Sequence, residues 1–493
     1  MIASIGVLAT SLSLLDPDLL ARVADPDHPD AIGRSETHAV LASPPPAGTP
    51  WQVEPVPVLH GFVASEGVAE THADLWHADG ITGSGVRIAV FDIGWYGPVG
   101  QLDEVDALTT HDCWVNPSCD PPIDFEVPRF SFEDGAHGVG CAEVVRDTAP
   151  GAEILLVRVP TLAAFENAMR WAIRADVDLI TMSMSFFNHT FYDGAASTYD
   201  NLLRELEQAE ILLVTSAGND ARSHWRGSWT DADGDGRLDF WGENYLELSG
   251  SGSVTAYVNW NQHGRCGDTD LDAELNDGQG WVHGRSRDRQ RADADQCRPV
   301  ETVRGEFDED GRIRLEVTHE QGVHSGLEVD VMLRSGEVVR PIPSGAITDP
   351  ASHPLAFAVG AVRVTGYRDN PAEGFSSWGP NNAGHPKPDI AGPDGVTTST
   401  YGARGFYGTS AAAPAVAGMI ALLMEDDPAL TPREAAERLQ ALAINDRGLA
   451  HSDSLGAGRA VLPVRNPQSL GCGERPMLAM MVLLPLGWFR RRR

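Results

Sequence analysis

Residues 85–94 read GVRIAVFDIG. A short apolar run, Ile88–Phe91, ends on an acid, Asp92, and then a turn glycine. An apolar run without alternation suits a strand buried on both faces. AEILLVRV (152–159), DLITMSM (178–184) and ILLVTSAG (211–218) repeat the form, and PLAFAVGAV (354–362) returns to it later. Between them AFENAMRWAIRA (164–175) and STYDNLLRELEQA (197–209) read as helices. Strands alternating with helices predict an α/β fold, a parallel sheet flanked by helices. Loops that do chemistry in such sheets gather beyond the carboxyl ends of the strands, and Asp92 stands at one such end.

The pattern changes in the middle of the chain. VTAYVNW (254–260), RIRLEV (312–317) and LEVDVML (327–333) alternate apolar and polar residues. Val254, Ala256, Val258 and Trp260 share one face, and Leu327, Val329, Val331 and Leu333 another. Such alternation predicts antiparallel strands, so residues 245–340 are expected to form an inserted β-sandwich. The α/β portions then run over 76–244 and 341–465. Upstream, residues 16–75 are rich in Pro, Asp and Ala with little periodicity and read as an extension or pro-segment with poor self-structure. Residues 1–15, MIASIGVLATSLSLL, have the length of a signal-peptide apolar core but no basic residue before Arg22.

The 493 residues carry a formal net charge of −33, which excludes a phosphate-binding footprint and so argues against nucleic acid as a partner. There are six cysteines. Cys113 and Cys119 lie in one Pro/Asn/Asp-rich loop, and Cys266 and Cys297 flank another polar segment. Both pairs read as local disulfides, which implies a compartment outside the cytosol.

Three positions could cooperate in nucleophilic chemistry. Ser410 lies in GTSAAAPAVAG (408–418), at the start of a long run of small apolar residues. It reads either as an N-cap or as a nucleophile whose oxyanion the helix start would stabilise. His137 stands in DGAHGVGCAEVV (134–145), where it reads as opening a helix: either a surface or capping histidine or a base. Asp92 is then an orienting acid or a turn cap. Pro414, four residues after Ser410, falls early in a helix, where missing amide donors matter least.

VFDIG, HGVGCAEVV, SAGND (216–220) and GTSAAAP occur in the order expected of subtilisin-like (subtilase) serine proteases, and the chain resembles that family over roughly 76–245 and 341–465. The resemblance implies a subtilisin-like parallel sheet and a serine endopeptidase with an Asp–His–Ser order. It implies Ser410 as nucleophile, His137 as general base, Asp92 as its orienting acid and Asn219 as an oxyanion donor. It places Ser183, Met184 and Ser185 on the substrate-lining strand, open to an extended polypeptide. Ile93, Val139, Ala411, Ala415 and Ser185 depart from residues usual in the family, but none removes a reacting group. Cys141, one helical turn after His137, reads as a free, inert core thiol. The contrasting reading is a catalytically inactive subtilase-like surface protein with an adhesive or binding role. Such relatives are expected to have lost a member of the constellation, whereas this chain keeps all four.

DADGDGRLD (231–239) carries Asp231, Asp233, Asp235, the carbonyl of Arg237, and Asp239 at calcium-loop spacing, with Gly236 at the sharp turn. Its twelfth position is Gly242 instead of an acid, with Glu243 one residue late. Ca²⁺ is therefore the expected cofactor. The C-terminus (466–493) places Gly-Cys (471–472) before MLAMMVLLPLGWF (477–489) and four arginines. That order resembles bacterial sorting tags of the myxosortase type, which implies Cys472 as an anchoring residue and a secreted or cell-surface location. A monomer is the expected state.

Overall fold

The computed structural model describes residues 65–95, 109–114, 116–124, 132–187, 190–194, 198–263, 269–290, 299–322, 325–445 and 451–465, together with four short strands between 21 and 53. The chain divides into two units. In the first, β1 (Ala21–Val23), β2 (Ala31–Arg34), β3 (Ala39–Leu41) and β4 (Trp51–Val53) form an antiparallel sheet in the order β2-β3-β1-β4. The expectation of little self-structure over 16–75 is corrected on this point. Strands of three or four residues are too short to leave a period in the sequence, and only their mutual pairing defines them.

The second unit is built on the expected sheet. Its strands are β5 (Arg87–Asp92), β6 (Thr109–Asp112), β7 (Ile123–Asp124), β8 (Glu153–Arg158), β9 (Leu179–Met182) and β10 (Leu212–Ser216), joined much later in the chain by two more, Phe357–Arg363 and Ile390–Asp394. Across the sheet the order runs Ile390–Asp394, Phe357–Arg363, β10, β9, β5, β8, β6, β7, and every pair is parallel except β6 with β7. After β5 the chain builds outward on one side, through β6 and β8, and then crosses to place β9 on the other. The carboxyl end of β5, where Asp92 sits, is thus the point where strand order reverses, which is where α/β sheets open a crevice.

Short helices α1 (Glu66–Glu70) and α2 (Ala73–Ala78) precede β5, and α3 (Phe132–Thr148) precedes β8. Helices α4 (Leu162–Arg174) and α5 (Thr198–Gln208) cover one face, packing Phe165, Trp171, Tyr199 and Leu206 against Ala89 and Phe91 of β5. Ile88 and Val90 alternate to the other face and are equally buried. On that side lies α6 (Thr409–Asp426), packed against α3 and four strands, with α7 (Pro432–Leu442) beside it. Every residue of α6 from Thr409 to Leu423 is buried, so the helix has no polar face and can exist only inside a core.

The insert is a sandwich of two antiparallel sheets. Its strands are β11 (His224–Ser228), β12 (Leu246–Ser249), β13 (Ser253–Trp260), β14 (Thr269–Asn276), β15 (Val282–Ser286), β16 (Val300–Glu306), β17 (Arg312–Gly322), β18 (Glu328–Arg334) and β19 (Glu337–Val338). The sheets run β11-β18-β13-β16 and β15-β14-β17-β12-β19. The two predicted apolar faces meet within one sheet, with Ala256 opposite Leu333, Val258 opposite Val331 and Trp260 opposite Val329. All are buried in one core with residues of the second sheet. The first strand, β11, lies upstream of residue 245. HWRGS does not alternate cleanly, and only its pairing with β18 reveals it. Entry and exit are pinned together: Ile342 N–H donates to His224 O at 2.9 Å, and Val338 N–H to Arg222 O at 2.9 Å.

Cys113 and Cys119 form a disulfide, as expected. Residues 1–15, Cys266, Cys297 and the tail with Cys472 lie outside the described residues. Among the described residues no helix is long and apolar enough to cross a membrane.

Candidate active site

Asp92 ends β5 with its side chain fully buried. Its Oδ1 accepts the N–H of Ile93 at 2.8 Å, and its Oδ2 lies 2.8 Å from His137 Nδ1. A carboxylate only accepts, so Nδ1 carries the imidazole proton and the lone pair is left on Nε2. His137 is not at the opening of its helix, as the sequence suggested: α3 begins at Phe132, and the histidine projects from its second turn. The residue after it must be glycine for the helix to reach the strand. A Cβ at Gly138 would stand 2.6 Å from the carbonyl oxygen of Gly94 and 2.9 Å from Asp92 Cβ. Phe406 meets the imidazole edge-on, with ring centroids 5.9 Å apart, and Tyr401 stacks on Phe406.

Ser410 is the second residue of α6 and is buried, with 9% of its surface exposed. The N-cap is Gly408, so the capping alternative for Ser410 is removed. Gly408 has φ 103°, in the left-handed region that glycine tolerates, and a Cβ there would stand 3.0 Å from Asn219 Nδ2. Its N–H donates to Asp394 Oδ2 at 3.0 Å. Asn219 follows the positive-φ Gly218 just beyond β10. Its Oδ1 accepts both the N–H and the hydroxyl of Thr409, each at 3.0 Å. Two donors on one end settle which end of the amide is oxygen, and leave Nδ2 as the donor facing away from them.

The Ser410 carbonyl accepts from Ser183 Oγ at 3.1 Å and from Cys141 Sγ at 3.6 Å. Polar atoms of Asp92, His137 and Cys141 lie within 4.8 Å of one another. Hydrogen bonds link Asp92 to His137, Cys141 to Ser410 and Asn219 to Thr409, and the Cys141 thiol lies near the Asp92–His137 pair. Cys141 is free and buried, and burial, with the nearby Asp92 charge, pushes its thiol well above the usual range. It is a neutral hydrogen-bond donor, which suits neither a nucleophile nor a thiolate metal ligand. Of the expected substrate-lining residues, Ser183 turns its hydroxyl inward to Ser410, Met184 packs against the core beneath α4 and α5, and Ser185 is half-buried.

Beside the site, Asp220 follows Asn219, and burial pushes its carboxyl up to about 7. His224, at the root of the insert, is fully buried with Nε2 3.1 Å from Asp330 Oδ2. Burial lowers its pKa, but Asp330 and the Ile342 carbonyl outweigh this and raise it overall.

In the 231–239 loop, carboxylate oxygens of Asp231, Asp233 and Asp235 lie within 4.8 Å of one another. Asp231 accepts the amides of Gly234, Asp235 and Gly236, and Asp235 accepts that of Arg237. Asp239 turns Oδ2 to the Ala232 amide, and Asn244 donates to Asp235 Oδ2. Convergent carboxylates on a loop shaped by its own amides fit a hard cation with oxygen ligands.

Sequence reading missed Asp394, Thr409 and Phe406. Asp394 carried a usable signal, being an acid at the carboxyl end of a buried strand, as Asp92 is.

Residues 129–247 and 343–458 match a family model described as "Subtilase family". Over those residues the chain is similar to the subtilase family. The two matched segments flank the insert, and Asp92 lies ahead of the first. The site-1 membrane-bound transcription factor proteases of Homo sapiens and Rattus norvegicus are each 27% identical over 209 residues. Those alignments take in 38% of this chain and 18% of the relatives' length. Among solved structures, the Clostridium perfringens CspB protease shares the fold, with a TM-score of 0.55, 18% identity and coverage of 81% of this chain and 97% of its own. Two separate comparisons thus point the same way: a similarity to the subtilase family on both sides of the insert, and a parallel sheet whose fold the CspB protease shares.

Proposed function

We propose that the chain is a serine endopeptidase that works through an acyl-enzyme. Ser410 Oγ attacks the scissile carbonyl, His137 Nε2 takes its proton and returns it to the leaving amine, and Asp92 holds the imidazole tautomer and stabilises its cation. Asn219 Nδ2 and the Ser410 N–H bind the oxyanion. The latter is one of the first-turn amides that helix geometry leaves without an intrahelical acceptor. The observation that carries the reading is the 2.8 Å hydrogen bond between His137 Nδ1 and the buried Asp92 Oδ2, which leaves Nε2 as the base.

The substrates are polypeptides, bound extended along the backbone of residues 183–185. The Cys113–Cys119 disulfide supports a secreted or bacterial cell-surface location, with the protein acting as a monomer anchored through Cys472. Asp231, Asp233, Asp235, Asp239 and the Arg237 carbonyl would hold Ca²⁺, whose role is to rigidify the loop between β11 and β12 of the insert. Labelling by a fluorophosphonate probe tests the reading: the parent protein labels at Ser410 and Ser410→Ala does not. Equal labelling of the two overturns it.

A further inference from the structure

In an α-helix the carbonyl of residue i accepts the amide of residue i+4. For Ser410 that partner position is Pro414, which has no N–H. The carbonyl of the residue carrying the nucleophile is thus denied its ordinary helical donor inside a buried stretch, and a buried carbonyl is costly to leave short of donors. Two other elements turn side chains to it. Ser183, the first residue beyond β9, donates its hydroxyl at 3.1 Å, and Cys141 on α3 offers its thiol at 3.6 Å. A hydroxyl is the stronger donor of the two.

We infer that Ser183 is a positioning residue for Ser410, its hydroxyl standing in for the helix amide that Pro414 lacks. The inference rests on the serine-protease reading above and deepens it. Ser410 is gripped on both sides: behind it the Thr409 N–H and hydroxyl are held by Asn219 Oδ1, and ahead of it the 410–411 peptide plane is held by Ser183. Both grips come from the ends of neighbouring strands, β10 and β9, so the sheet sets where the hydroxyl of Ser410 stands. Small displacements of a nucleophile are expensive in rate, so the grip acts on turnover. A residue that only lined the substrate cleft would act on affinity.

The test uses the full chain and a fluorophosphonate probe, with the limiting labelling rate separated from the half-saturating probe concentration. Ser183→Ala lowers the limiting rate about ten- to a hundredfold and leaves the half-saturating concentration unchanged. Ser183→Thr, which keeps a hydroxyl, restores the rate. Adding Pro414→Ala to Ser183→Ala also restores much of it, because residue 414 then supplies the missing N–H. A Ser183→Ala variant with a parental limiting rate, a change confined to the half-saturating concentration, or a loss that neither companion change relieves overturns the inference alone. If the parent itself is not labelled at Ser410, the serine-protease reading fails and takes this inference with it.

Discussion

Asp394 Oδ2 accepts the backbone N–H of Gly408 at 3.0 Å, tying the end of an edge-side strand to the cap of the helix that carries Ser410. The acid is fully buried, and burial pushes its carboxyl up to about 6. Replacing it by alanine leaves the Gly408 amide without that acceptor at the helix cap. Asp394→Ala is expected to lose about 1–3 kcal/mol of stability, read as a lower denaturant midpoint. Asp394→Asn keeps an oxygen on the amide and loses less.

The same burial acts on stability across pH. Asp220 is raised to about 7 and Asp349 to about 6, both by burial first. An acid whose pKa rises on folding binds its proton more tightly in the native state. Its contribution is complete below the unfolded value and is lost as pH climbs through the folded one. Thermal unfolding between about pH 5 and about pH 8 is therefore expected to show a falling midpoint. Asp394→Asn should reduce the part of the fall centred near 6, to which Asp349 still contributes, and a midpoint that rises steadily over that range contradicts the assignment.

Asp92→Asn tests the tautomer argument. An amide can donate to Nδ1, which moves the imidazole proton to Nε2 and removes the base. Turnover on denatured casein is expected to fall on the order of ten-thousandfold with folding intact by circular dichroism. A loss of less than tenfold speaks against His137 as the base.

Asn219→Ala removes the oxyanion amide and also the acceptor for Thr409. The rate constant for casein cleavage should drop about a hundred- to a thousandfold while KM changes little. A change confined to KM assigns Asn219 to substrate binding instead.

Calcium is tested by its effect on melting. Removal with EGTA should lower the midpoint, and Ca²⁺ should restore it better than Mg²⁺, because the loop offers several carboxylates at flexible spacing. In Asp231→Asn/Asp235→Asn the response should vanish. An EGTA-insensitive parent removes the calcium reading.

Much of the architecture was legible because it is encoded locally. An apolar run closing on Asp92, a glycine after His137, Gly218 before Asn219 and Gly408 before Ser410 each impose a backbone shape within a few residues. The strict alternation of 254–260 and 327–333 likewise marks a sheet face without reference to the rest of the chain. His137 was misplaced along its helix because the glycines beside it read as a boundary, whereas the helix starts at Phe132, just after Ser131 and with Glu133 and Asp134 in its first turn.

What the amino-acid sequence determined by itself is the set of elements and the residue types at their ends: an acid, an imidazole, a hydroxyl and an amide at positions where α/β sheets open. What only the tertiary structure decided is which of them touch, and what else touches them. Ser183 meets Ser410 across 227 residues, Thr409 meets Asn219 across 190, and Cys141 meets Ser410 across 269. The physical reason is range: propensity and periodicity act over one or two turns of chain, whereas a hydrogen bond between strand ends depends on sheet order, which no local pattern records.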